Sequence, residues 1–208
     1  MLHAETYGKI VILNGTPRSG KSSIATVIQN TFEGMWMNIG VDRFMQMTPE
    51  RYQPGIGLRP GGERPDLEPF ILTLYRAMYE SIAVHSRLGL NVVADVGHHD
   101  AYSVPLGILP NCARILMDHS VLLVGVHCPI EVVMQRRIET WQVGYLDDGS
   151  VPKPVSLWQK SVHVPGIYDL EVDTSVLSSE KCADLIRQRL EIGPPPTAFK
   201  RLEAMVAG

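Results

Sequence analysis

The chain has 208 residues, 45% apolar and 20% charged, which suits a single globular domain with a sizeable core and excludes a disordered chain. The net charge is −3 with no lysine or arginine cluster, and no apolar run approaches the roughly 18 residues of a membrane helix. The first residues carry no signal-peptide pattern, so a cytoplasmic protein without nucleic-acid or membrane partners is expected.

A first strand is expected at Ile10–Leu13, in the mostly apolar stretch from Lys9 to Asn14. It runs into Gly15-Thr16-Pro17-Arg18-Ser19-Gly20-Lys21-Ser22, a full match to G-x-x-x-x-G-K-[ST], and then into helical spacing over Ser22–Phe32. Strand, glycine-rich turn and helix are the context in which this pattern holds phosphates. Gly15 and Gly20 let successive N–H groups point inward, and the helix adds its positive dipole end. ATP is therefore expected along Gly15, Thr16, Pro17, Arg18, Ser19, Gly20, Lys21, Ser22 and Ser23. Lys21 follows the β- and γ-phosphates and the Ser22 hydroxyl ligates Mg2+.

A second strand is expected over Met35–Val41, with Asp42 just beyond it. In an open parallel sheet the ligand lies past the carboxyl ends of the strands, where Asp42 would serve the acceptor hydroxyl as base and substrate contact. The same residue fits the N-cap of a helix starting at Arg43, and position alone separates neither role. Thr48–Pro65, with prolines 49, 54, 60 and 65 and glycines 55, 57, 61 and 62, reads as a mobile loop. Helical spacing resumes over Leu67–Leu88, where Phe70, Leu74, Met78 and Ile82 form one apolar stripe, read as core.

The third strand, Asn91–Asp95, ends in Asp95, a carboxylate at the place of a Walker B acid that supports the metal shell or contacts substrate; a plain turn carboxylate is the alternative. His98, His99 and Asp100 follow, and adjacent histidines point in different directions, so His98 is read as a substrate contact in a loop rather than as a metal ligand. Val121–His127 is the fourth strand, and Pro129 opens a helix carrying Arg136 and Arg137. A guanidinium there suits the spread charge of a transferring phosphoryl group, but neighbours on a helix diverge, so at most one of the pair faces the site. The stretch from Trp141 to Pro154 reads as a lid, about 138–156. Gly166–Val172 is the fifth strand, Ser178–Leu190 a helix capped by Ser178 or Ser179, and the tail 193–208, with Pro194–Pro196, is expected to leave the sheet as a docking or disordered segment. The widely spaced Cys112, Cys128 and Cys182 suit reduced thiols in a core. The layout is α/β: one domain over 1–208, a parallel five-stranded sheet covered by helices on both faces.

The phosphate loop after Ile12-Leu13-Asn14, the Gly40-Val41-Asp42 turn, Val124-Gly125-Val126-His127-Cys128 with the Arg136 helix, and Val162-His163 with Tyr168-Asp169-Leu170-Glu171-Val172-Asp173-Thr174 run in order along residues 9–176. In this the chain resembles chloramphenicol phosphotransferase and its relatives. The resemblance implies a P-loop NTPase fold of the nucleoside and nucleotide kinase type, and ATP-dependent transfer of the γ-phosphate to a hydroxyl of a small-molecule alcohol. It implies Asp42 as catalytic base, Lys21 and Ser22 on nucleotide and metal, and Arg136 in the lid. By analogy with related kinases, Thr174 lies near the adenine. The chain departs from the family pattern at Ile138–Val143, which lacks further arginines, at the inserted Asp147-Asp148-Gly149, at Ala94-Asp95, where one acid replaces a pair, and along Thr48–Pro65. The antibiotic is therefore not carried over as acceptor. Nucleoside, sugar and nucleotide-sugar kinases of toxin type, and a P-loop switch or binding protein, stand as alternatives.

Overall fold

A computed structural model describes residues 7–61 and 63–205; the first six residues, Gly62 of the expected loop and residues 206–208 of the expected tail lie outside the described residues. Five parallel strands, β1 (Ile10–Asn14), β2 (Trp36–Asn38), β3 (Asn91–Val96), β4 (Val121–His127) and β5 (Leu170–Asp173), form one sheet in the order β2-β3-β1-β4-β5. The strands read as unbroken apolar runs because both faces are covered. Ile10 and Ile12 face helices α3 (Glu68–Arg87), α4 (Ile108–Ile115) and α8 (Ala198–Ala204), whereas Val11 and Leu13 face α1 (Lys21–Thr31) and α7 (Ser179–Ile192). In register, Leu13 pairs with Asp95, Asn14 with Gly125, and His127 with Asp173, so the carboxyl ends of β1, β3, β4 and β5 open onto one rim.

β2 is shorter than expected. Gly40 lies against Asp95 so closely that a Cβ would meet Asp95 Oδ1 at 1.8 Å, and there the chain leaves the sheet to start α2 (Val41–Met47). Asp42 is therefore inside the first turn of α2, and Gly40 holds the N-cap position, which rules out the capping role. The apolar stripe of α3 is also rotated from the expected one. Ile71, Tyr75, Met78, Tyr79 and Ile82 are buried, while Phe70 is 48% exposed and meets the Tyr52 ring edge-on. Leu74 stays partly buried against the same core, so of the expected stripe Phe70 alone is turned out, and Tyr75 and Tyr79 join the core instead. The 48–65 stretch folds into short 3₁₀ turns, Glu50–Tyr52 and Gly55–Gly57, with another at Pro65–Leu67, and it buries Ile56 and Leu58 beneath α3.

Residues 193–205 also depart from expectation. Asp169 Oδ1 accepts hydrogen bonds from the amides of Thr197 (2.7 Å) and Ala198 (3.0 Å), fixing the start of α8. Ala198, Phe199 and Leu202 are then buried against α4 and β4, with the Phe199 ring stacked on Tyr79. Leu202→Ala is expected to lower unfolding free energy by about 2–5 kcal/mol, the range for emptying a core leucine site. Equilibrium urea unfolding should find this loss, with the exposed Lys200→Ala near zero as control; equal values for the two would show that α8 is not part of the core. α5 (Ile130–Trp141) and α6 (Lys153–Ser161) flank the rim, joined by a turn in which the Leu146 amide donates to Ser150. All three cysteines are buried free thiols, and among the described residues no helix is long and apolar enough to cross a membrane.

Candidate active site

β1 ends at Asn14, fully buried and polar at the end of an apolar strand, a position that demands partners. Its Nδ2 donates to the Val162 carbonyl (2.8 Å) and the Tyr168 hydroxyl (2.9 Å), and its Oδ1 accepts from the His98 amide (2.9 Å). Tyr168 also bonds His163 Nδ1 (2.7 Å). The Val162–Thr174 block, the most specific part of the sequence pattern, thus braces the base of the glycine-rich loop. The lone polar residue closing β1 was the signal for this brace.

Within the loop, Gly15 sits against β4 where a Cβ would meet the Val126 carbonyl at 2.4 Å, and Gly20 takes the left-handed conformation at φ 93°. No side chain caps the start of α1, so its first amides face outward unpaired, the arrangement that receives phosphate. Lys21 Nζ donates to the Thr16 carbonyl (2.7 Å). Enclosure pushes its pKa down to about 8, against the opposing pull of Asp95 and Asp42. Ser22 Oγ donates to Asp95 Oδ2 (2.7 Å), which links the first turn of α1 to the end of β3. Burial, then the charge of Asp95, raise the Asp42 carboxyl above the ordinary range; Lys21, Arg18 and Arg43 oppose them. Lys21, Ser22, Asp42 and Asp95 line one cleft of about 890 Å³, within the usual size of a small-molecule site.

One end of this cleft is lined by Gly20, Ser23, Thr174, Leu177 and Ser178. Arg136 closes its floor: Nη1 donates to the Arg18 carbonyl (3.2 Å) and Thr174 Oγ1 (3.1 Å), and Nη2 to the Thr174 carbonyl (2.7 Å). Thr174 Oγ1 in turn donates to the Ser19 carbonyl (2.7 Å). Arg136 therefore stands on α5 and clamps the glycine-rich loop, rather than riding on the 142–152 turn as a lid arginine would. Arg137, the next residue on α5, points elsewhere and is buried near Trp141.

The other end of the cleft is lined by Val41, Met45, Ile56, Leu58, Tyr75 and Trp158. Trp158 is held by its indole N–H, which donates to the Gly97 carbonyl (3.2 Å). His98, expected to touch substrate, does not reach the cleft. With its amide tied to Asn14, its side chain turns into the α3 layer, where Nε2 meets the Tyr79 hydroxyl (2.7 Å) behind the ring of Tyr75. Burial pushes its pKa down to about 3, so the ring is neutral. His99 points to the Leu58 carbonyl (3.0 Å) and Asp100 accepts the amides of Leu106 and Gly107. Tyr75 and Leu58 escaped the sequence reading because each lies in a stretch whose pattern describes core or loop, and Trp158 lies on α6, beyond the expected lid.

The donor set fits a magnesium-bound nucleotide. Among the described residues no three His, Cys, Asp or Glu side chains gather as a metal cage, and Mg2+ held by phosphates, a hydroxyl and one carboxylate requires none. The buried Ser19 hydroxyl lacks a partner, and a Cβ on Gly15 would intrude on it at 2.8 Å.

Three solved structures share the fold at low identity. A sugar kinase from Janibacter sp. HTCC2649 aligns with TM-score 0.61 at 16% identity, covering 90% of this chain and 96% of the other. Shikimate kinase from Acinetobacter baumannii gives 0.58 at 13% over 90% and 95%, and a gluconokinase from Sinorhizobium meliloti 1021 gives 0.54 at 16% over 98% and 97%. In sequence, a candidate O-phosphotransferase of Mycobacterium tuberculosis, known from strains CDC 1551 and H37Rv, is 27% identical over 94% of this chain and 88% of its own length. The fold is that of P-loop kinases, and the profile of the chloramphenicol phosphotransferase-like proteins matches residues 8–191, so the chain belongs to that phosphotransferase family.

Proposed function

We propose that this phosphotransferase moves the γ-phosphoryl group of ATP to the hydroxyl of a small-molecule alcohol. The observation that carries the reading is the convergence of Lys21, Ser22, Asp95 and Asp42 in one cleft with a glycine-rich loop at one side and an apolar wall at the other. Thr174 and Leu177 would face the adenine, and Gly15 to Ser22 would hold the phosphates. Lys21, now on the Thr16 carbonyl, would turn to the γ-phosphate, and Ser22 with Asp95 would hold the metal. Bound magnesium neutralises charge on the β- and γ-phosphates. Asp42 orients the acceptor hydroxyl and takes its proton as the new O–P bond forms and the bond to ADP breaks, and its raised proton affinity suits that task.

The acceptor wall of Val41, Met45, Ile56, Leu58, Tyr75 and Trp158 is mostly apolar and aromatic. A bare sugar would leave most of its hydroxyls without partners there, which favours an acceptor with an apolar or aromatic body. Incubating the protein with Mg-ATP and a panel of alcohols, followed by mass spectrometry, is expected to yield one product heavier by a phosphoryl group. ADP formed at the same rate with every alcohol and with none, and no phosphorylated product, would instead support a hydrolytic switch.

A further inference from the structure

Lys21, Asp42, Asp95 and Arg136 account for the proposed chemistry, but three more cations stand beside it. Arg18 from the loop, Arg59 from the segment after Leu58 and Arg137 from α5 gather around Trp141. The guanidinium carbon of Arg18 lies 3.8 Å from the indole centroid and that of Arg137 lies 5.2 Å from it. Arg59, Arg137 and Trp141 line a pocket of about 60 Å³ that continues into the acceptor end of the cleft through Trp158 and Pro17. That volume has room for a few waters, enough for a single anionic group rather than a whole ligand.

Among the described residues, none of the three guanidiniums makes a side-chain hydrogen bond or an ion pair. Arg137 is only 9% exposed and its Nε is buried without a partner, as is that of Arg18. Burial acts first on Arg137, and the charges of Arg59 and Arg18 add to it, all disfavouring its cationic form. Guanidinium cannot escape by losing its proton near neutral pH, so a buried, unpaired Arg137 beside two like charges is costly unless a ligand brings negative charge. Asp42 does not discharge it, since its field reaches Arg18 while burial and two like charges act on Arg137. Arginine forks are also the groups best shaped to grip a carboxylate or phosphate with two parallel hydrogen bonds.

We propose that the acceptor is an anionic alcohol, whose hydroxyl lies at Asp42 while a carboxylate or phosphate on the same molecule is held by Arg59 and Arg137 beside Trp141. This rests on the kinase reading for the hydroxyl but not for the anion. The apolar body of the acceptor bridges the two ends along Leu58 and Trp158.

The test has two arms. In the first, the nucleotide site is filled with Mg-AMP-PNP, and inorganic phosphate or acetate is titrated calorimetrically into wild type, Arg59→Ala and Arg137→Gln. Saturable binding, weakened at least tenfold in the variants, is expected, and the stronger of the two probes identifies the anion. Arg59 is exposed, so its variant remains informative if Arg137→Gln does not fold. In the second arm, matched acceptors are compared with Mg-ATP: hydroxy acids with their amides, and phosphorylated diols with the parent diols. At least a tenfold preference for the anionic member is expected, and Arg59→Ala should remove it by raising KM for that acceptor while KM for ATP stays the same. If nothing is phosphorylated but the Arg59-dependent binding persists, the anion site stands and the kinase reading falls. Neutral and anionic acceptors used equally well, with no anion binding, would overturn the anion site and leave the kinase reading intact. A loss of kcat shared by all acceptors in both variants would also overturn it, because the arginines would then serve the transferring phosphoryl group.

Discussion

Asp42→Asn is expected to cut phosphoryl transfer about 10²–10⁴-fold, the usual contribution of a positioned general base, while the affinity for Mg-ATP is kept or slightly raised. Asparagine retains the size of the side chain in the first turn of α2 and removes one negative charge from the cleft proposed to receive a triphosphate. The pH dependence sharpens this expectation. Burial and the neighbouring Asp95 lift the Asp42 carboxyl, so the wild-type rate should rise through a pH region above that of an ordinary aspartate and then level off. This acid limb should vanish in Asp42→Asn. Stopped assays across pH together with nucleotide titration separate the outcomes: an unchanged rate removes Asp42 from the chemistry, and joint loss of binding and folding makes it structural.

Lys21→Ala should lower transfer by at least about 10²–10³-fold and weaken nucleotide binding, because it removes a cation aimed at the developing charge. A proton signature distinguishes this role from simple loss of packing. With its pKa at about 8 in the ligand-free protein, Lys21 is largely neutral at pH 9, and a triphosphate draws it back to the ammonium form. Binding at pH 9 should therefore take up a proton, visible as a dependence of the calorimetric heat on buffer ionisation enthalpy, and Lys21→Ala should abolish it. Folding stability responds in the opposite sense. Between about pH 8 and the ordinary lysine value of 10.5 the unfolded chain binds more protons than the folded one, so wild-type stability gains as pH rises through that window. Lys21→Ala lacks this gain. At pH 7 it should be more stable than wild type toward urea, and the difference should shrink toward pH 10.5; a constant difference would rule out the enclosed ammonium.

The glycine-rich loop and the strands that flank it were legible because they are local: an apolar run, two glycines, a lysine and a serine carry their own geometry. Asp95 was legible for the same reason, as a charge at the end of a buried run, and the helix after β2 begins at Val41 rather than Arg43 because Gly40, against Asp95, already ends the strand. The phase of α3 was not legible. Period alone places Phe70 as well as Ile71 and Tyr75, while Ile56 and Leu58 from a distant segment share the core with the latter two. His98 was misplaced because its direction is set by Asn14, far away in the chain. α8 was hidden behind Pro194–Pro196, which signal a break in the chain but carry no sign of a helix beyond it, and its cap is supplied by Asp169 across the sheet edge. The pocket beside Trp141 gathers from the loop, the segment after Leu58 and α5, and no spacing in the sequence connects these.

The three bonds of the Asn14 amide divide the molecule into a frame and a fitting. The base of the glycine-rich loop is tied through that one side chain to Val162, Tyr168 and the turn at His98. The side chains of Leu58, Arg59 and Trp158 take no part in those bonds. On the proposed reading, substitutions at the acceptor end are therefore expected to leave the grip on the nucleotide unchanged, and the strongest family signature in this chain marks the frame rather than the acceptor.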